Sequence, residues 1–122
     1  MKILLLEDDA MLNEIMKEHL EKNKHEVISS CCAIQVENIL QEQSFDLLII
    51  DVNVSNINGC NLLKTLRNQD IQTEAIFITS TTMYQDTKKD INSACNDYLK
   101  KPFALKDLDT RIKKIQIHSN AA

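Results

Sequence analysis

Five residues of this 122-residue chain, Glu7, Asp8, Asp51, Thr79 and Lys101, are of the types that phosphoryl transfer requires, and each closely follows an apolar run. Ile3-Leu4-Leu5-Leu6 empties into Glu7-Asp8-Asp9. Leu47-Leu48-Ile49-Ile50 ends in Asp51. Ala75-Ile76-Phe77-Ile78 is followed by Thr79, and Asp97-Tyr98-Leu99 by Lys100 and Lys101. Carboxylates brought together repel and raise one another's pKa, so a positive group must compensate, and a divalent cation is the simplest. Glu7, Asp8 and Asp51 offer the oxygen ligands that Mg²⁺ prefers. Asp51 is then a candidate nucleophile, able to form an aspartyl phosphate. The Thr79 hydroxyl and the Lys101 ammonium would neutralise the oxygens of the transferring group. Each residue has a plainer role open to it, as a turn cap or a solvated charge. Four strand ends carrying such groups together favour a single site.

The elements that must gather these groups follow from hydrophobic periodicity. A short apolar run reads as a strand buried on both faces of a parallel sheet. Strands are expected over Lys2–Leu6, Glu26–Ser30, 47–51, 75–78 and 97–99. Helices are expected over Ala10–Lys22, Ala33–Glu42, 60–68, 86–93 and 105–117. Asp9 is placed to cap the first helix. In that helix Met11, Leu12, Ile15, Met16, His19 and Leu20 form an apolar stripe, read as core, with His19 at its flank. Asn58-Gly59, holding the only glycine, reads as a turn in the loop after Asp51. Five β-α repeats with right-handed crossovers give a three-layer, doubly wound (βα)₅ parallel sheet. Periodicity leaves the strand order open. Ligands of such sheets bind at the carboxyl ends of the strands, where the five residues lie.

Composition bounds the function. One Gly and one Pro argue against a disordered chain, and no apolar run approaches the roughly 20 residues that span a bilayer. A single cytoplasmic domain with no membrane association is expected. Residues 1–60 carry 11 acids against 4 basic residues, and residues 61–122 carry 7 against 10, for a net charge of −4. Such a chain is a poor nucleic-acid binder by itself. Cysteines 31, 32, 60 and 95 show no metal-ligand spacing and read as free, buried thiols.

The four marked stretches, from Ile3-Leu4-Leu5-Leu6-Glu7-Asp8-Asp9 through Leu48-Ile49-Ile50-Asp51 and Ile78-Thr79-Ser80 to Asp97-Tyr98-Leu99-Lys100-Lys101-Pro102-Phe103, resemble the receiver domains of two-component response regulators. The resemblance covers residues 1–117, leaving 118–122 as a tail or the start of a linker. It implies a flavodoxin-like strand order of 2-1-3-4-5. It implies Asp51 as phosphoacceptor and Glu7, Asp8, Asp51 and the Asn53 carbonyl as Mg²⁺ ligands. Thr79 and Tyr98 would be the switch residues, Lys101 the phosphate contact, and Lys101-Pro102 a cis bond. Asp9 is left as a cap or outer neighbour of the metal pair. Ser55, Ser80 and Ala94 stand where the family more often has Pro, Ala or Gly, and Gly, which bears on switching and removes no catalytic group.

The implied function is a phosphorylation switch. A histidine kinase or phosphotransfer protein donates the phosphoryl group, and the face made by the fourth helix, fifth strand and last helix controls an output, expected to be transcription. The domain would catalyse only its own phosphorylation and dephosphorylation. The output domain would follow residue 122 or be absent. A winged-helix regulator of this kind would dimerise through that face. Here only the pair Asp97 and Arg111 is retained, with Thr87 and Asn92 replacing the other charged partners, so a weak homodimer is expected. Two alternatives stand beside this. One is a Mg²⁺-dependent phosphohydrolase, resembled by Asp51-Val52-Asn53, whose second position is an amide where a general acid is needed. The other is a degenerate receiver serving only as a binding module.

Overall fold

The computed structural model describes residues 1–54, 57–80 and 97–121. Five parallel strands form one sheet: β1 (Lys2–Leu6), β2 (Glu26–Ser30), β3 (Leu47–Asp51), β4 (Glu74–Ser80) and β5 (Asp97–Lys101). Their order is 2-1-3-4-5, as the resemblance implies. Between them run α1 (Ala10–Lys22), α2 (Ala33–Glu42) and α3 (Gly59–Asn68), and a C-terminal helix (Leu105–Ala121) follows β5. The helix expected over 86–93, with Thr87 and Asn92, lies outside the described residues, as do Ser55 and Ala94.

Alternation along the central strands divides the core in two. Leu4, Leu6, Leu48, Ile50 and Phe77 face one way and pack on Val36 of α2 and Leu62, Leu63 and Leu66 of α3. Ile3, Leu5, Leu47, Ile49, Ile76 and Ile78 face the other way, onto Met16 and Leu20 of α1 and Leu108, Ile112 and Ile115 of the C-terminal helix. Every residue of β3 is buried. Each such Leu or Ile contributes about 1.5–3 kcal/mol relative to exposure.

Register then fixes the strand ends. Leu6 lies beside Ile50, Asp51 beside Ile78, and Ser80 beside Lys101. Glu7, Asp51, Thr79 and Lys101 therefore leave four neighbouring strands at one edge of the sheet.

Three expectations are corrected. The stripe of α1 is narrower than expected, because Met11 and Ile15 are 73% and 45% exposed while Asn13 is buried. Asn13 takes the inward place because its amide has main-chain carbonyls to bond there. Cys31 and Cys32 are free and exposed, since they stand in the short link between β2 and α2 and not on a core-facing element. Asn58-Gly59 is not the turn expected. Asn53 and Val54 pair antiparallel with Asn58 and Ile57, and α3 begins at Gly59 itself. The two left-handed residues described are Lys24 and Asp70, which follow α1 and α3.

Gly59 is required by crowding. A Cβ there would lie 2.7 Å from the Asp51 carbonyl oxygen and 2.9 Å from Val52 Cα, both main-chain atoms that cannot rotate aside. The Gly59 N–H also donates to the Val52 oxygen at 2.6 Å. Gly59→Ala should therefore push α3 away from the end of β3. Overpacking of this kind costs about 1–3 kcal/mol. Urea unfolding should show a midpoint shift of that size, and an unshifted midpoint would mean that α3 can yield freely.

Candidate functional site

Asp9 begins the site by fixing the turn after β1. Its Oδ1 accepts from the N–H groups of Met11 and Leu12, capping α1 as expected. Its own N–H donates to Glu7 Oε2 at 3.2 Å, so the turn holds the Glu7 carboxylate inward. Glu7 is fully buried, Asp51 is 4% exposed, and Asp8 is exposed. Oxygen atoms of the three lie within 4.8 Å of one another.

Lys101 is the cation that makes this burial tolerable. Its Nζ donates to Asp51 Oδ2 at 3.0 Å and lies 3.0 Å from Glu7 Oε1. The second approach is an ion pair, and Glu7 Oε1 has no hydrogen-bond partner among the described residues. The Lys101-Pro102 peptide is cis, as the resemblance implies. Burial, followed by the hydrogen bond and like charge of Asp51, pushes the Glu7 carboxyl up to about 7. Burial alone would lower the Lys101 pKa, but the hydrogen bond to Asp51 and the adjacent carboxylate of Glu7 outweigh it, and the pKa is raised above the ordinary lysine value.

These features fit a hard divalent cation. A buried carboxylate oxygen lacking a hydrogen bond, a second buried carboxylate and an exposed third provide oxygen ligands with one side open to water. Asn53 stands two residues beyond Asp51, in the short strand Asn53–Val54, where its main-chain carbonyl is the candidate fourth ligand.

The remaining expected residues lie nearby in the sheet. Thr79 is 1% exposed, and its hydroxyl donates to the Ser80 carbonyl at 3.1 Å. Tyr98 is half-buried against the core cluster that contains Phe77. Its carbonyl accepts from Arg111 Nε at 3.2 Å, and that nitrogen also lies 3.5 Å from Asp97 Oδ2. Asp97 and Arg111 thus pair within one chain. His19, placed at the flank of the α1 stripe, pairs with Asp109 of the C-terminal helix at 2.9 Å. Asn13 is the residue missed by periodicity, since a polar side chain inside an apolar stripe gives no hydrophobic signal. Its position four residues beyond the capping Asp9 was the available clue.

Comparison with known proteins agrees with this geometry. The family model for the response regulator receiver domain matches residues 3–113. The transcriptional regulatory protein CrdR of Helicobacter pylori is 40% identical over 114 residues, 93% of this chain and 54% of that protein. The response regulator PmrA of Pseudomonas aeruginosa is 31% identical over 115 residues, 94% of this chain and 52% of its own. The chain spans about half the length of these curated relatives. The non-phosphorylated HemR receiver domain from Leptospira biflexa superposes with a TM-score of 0.83 at 28% identity, covering 93% of this chain and 92% of that one. Among the described residues, no helix is long and apolar enough to cross a membrane.

The raised pKa of Glu7 has a thermodynamic consequence. Its proton is held more tightly in the folded state than at the ordinary value of 4.5. Stability from that source is complete below about 4.5 and is lost as pH rises through about 7. In metal-free buffer, Glu7→Gln should therefore gain stability relative to the parent across that window and level off above it. Urea unfolding of both proteins at a series of pH values measures this. A constant difference between them would show that folding does not raise the Glu7 pKa.

Proposed function

Given that this chain belongs to the response regulator receiver domain family, we propose that Asp51 accepts a phosphoryl group and that the domain thereby switches a signalling output. The observation that carries this reading is the 3.0 Å bridge from Lys101 to Asp51 Oδ2, set beside buried Glu7 at the carboxyl edge of the sheet. An Asp51 oxygen attacks phosphorus of a phosphohistidine, a P–O bond forms, the P–N bond breaks, and imidazole leaves. Lys101 is already placed to follow the charge onto the phosphoryl oxygens. Glu7, Asp8, Asp51 and the Asn53 carbonyl would hold Mg²⁺, which when bound supplies charge neutralisation for the transfer. The Thr79 hydroxyl exchanges its bond to the Ser80 carbonyl for a phosphoryl oxygen, and Tyr98 moves further inward beside it.

The donor is a histidine kinase or phosphotransfer protein in the cytoplasm. A groove of about 480 Å³ beside the site, lined by Leu12, Ile15, Pro102, Phe103 and Leu105 with Lys101 at its edge, suits an apolar protein surface better than a small phosphate ester. Receiver function is assigned to residues 1–117. The domain catalyses only its own phosphorylation and dephosphorylation. The output is transcription, in line with the regulatory names of its relatives. A homodimer through Asp97 and Arg111 would be weak. Each copy would give up its internal pair to form one with its partner, and exposed pairs are worth only about 0–1 kcal/mol.

Incubation with acetyl phosphate and Mg²⁺ should add one phosphoryl mass to the intact protein, and Asp51→Asn should remain unlabelled. Equal labelling of that variant would reassign the acceptor. Sedimentation velocity of the beryllofluoride-treated protein should find mainly monomer at low micromolar concentration. A tight dimer there, lost on Arg111→Ala, would show instead that this one pair suffices.

A further inference from the structure

The main chain between the two acidic residues after β1 is held from outside the strand. Asn13, on the inward face of α1, is 6% exposed. Its side-chain amide donates to the carbonyl oxygens of Glu7 at 2.9 Å and Ser30 at 3.2 Å. The Glu7 N–H donates to the same Ser30 oxygen at 3.1 Å. Ser30 is itself 5% exposed and anchored, its hydroxyl accepting from the Cys32 N–H and donating to Gln35 Oε1. Both acceptors of Asn13 are carbonyls, so only the NH₂ end of the amide can face them. A buried amide NH₂ in an otherwise apolar face is costly unless it is bonded, and here it has two carbonyl acceptors.

The Glu7 carbonyl belongs to the planar peptide unit that joins Glu7 to Asp8. Fixing that oxygen fixes the plane, and with it the directions in which two successive carboxylates leave the main chain. One of them is buried beside Lys101 and the other is exposed, yet their oxygens come within 4.8 Å of each other, a convergence that depends on the orientation of that plane. The Asn13 amide thus acts on main-chain oxygens and not on the carboxylates themselves. We propose that Asn13 is the positioning residue of the cation site, setting the Glu7–Asp8 peptide so that both carboxylates face one ion. This rests on the reading of Glu7 and Asp8 as Mg²⁺ ligands.

Groups that orient metal ligands typically change affinity by about 10–100-fold when removed. Calorimetric titration of the metal-free protein with Mg²⁺, at a temperature where every variant is fully folded, should show Asn13→Ala binding at least about tenfold more weakly than the parent. Asn13→Ser keeps one donor and should fall between the two. It also keeps the test alive if the alanine variant does not fold. A merely structural role would lower the melting temperature of both variants and leave the Mg²⁺ affinity of the folded protein within twofold of the parent, which would overturn the proposal. If the parent itself takes up no Mg²⁺, the reading of Glu7 and Asp8 as ligands fails, and the role of Asn13 fails with it.

Discussion

Two carboxylates buried side by side are the constraint on which this molecule turns. Glu7 and Asp51 stand at the ends of adjacent strands, almost wholly removed from water, and would repel each other strongly if both were charged and unpaired. Lys101 lies between them, 3.0 Å from an oxygen of each. Glu7 answers the remaining strain by holding a proton more readily than a free glutamate does. A site built this way favours added positive charge at its open side, the condition that cation binding and phosphoryl transfer both require.

The sheet makes that juxtaposition inexpensive. Parallel strands in register bring their carboxyl ends to one edge without any loop having to search for the site. The apolar residues of β1, β3 and β4 lock the register from both faces. A slip of one residue would turn every core side chain to the opposite layer. Placing Lys101 against Asp51 across the intervening strand therefore follows from packing far from the chemistry. The turn after β1 is secured more locally, by Asp9 capping α1 and reaching back to Glu7.

Much of this was legible in the chain. Apolar runs ending in Glu7, Asp51, Thr79 and Lys101 mark the strand ends, because a strand buried on both faces must stay apolar until it leaves the core. The bounds of β1, α1, β2 and α2 follow from the same pattern. Strand order did not, since pairing partners leave no trace in a period of two; resemblance supplied it. Periodicity also misplaced Met11 and Ile15, which keep helical spacing but lie on a face that no other described element fully covers. Buried Asn13 escaped for the converse reason, since its role is to bond carbonyls that a sequence does not locate. Gly59 was noticed and its reason mistaken. It serves the close approach of α3 to the Asp51 carbonyl, with φ in the ordinary range.

That solitary glycine has a counterpart elsewhere in the fold. The left-handed positions ending α1 and α3 fall to Lys24 and Asp70, at φ 69° and 64°, where glycine would sit without strain. Main-chain bonds of the helix-stop type hold both, from the Lys24 and His25 N–H groups to Glu21 and Leu20 and from those of Asp70 and Ile71 to Arg67 and Leu66. A left-handed conformation costs a residue with a side chain about 1–2 kcal/mol. Both helix ends lead into the amino ends of strands, at the edge of the sheet opposite the acidic cluster. The chain thus carries an unclaimed reserve of stability where no chemistry takes place. Sequence drift could draw on it to offset changes at Glu7, Asp51 or their neighbours, so the tolerance of the site to mutation is set partly at the far end of the molecule.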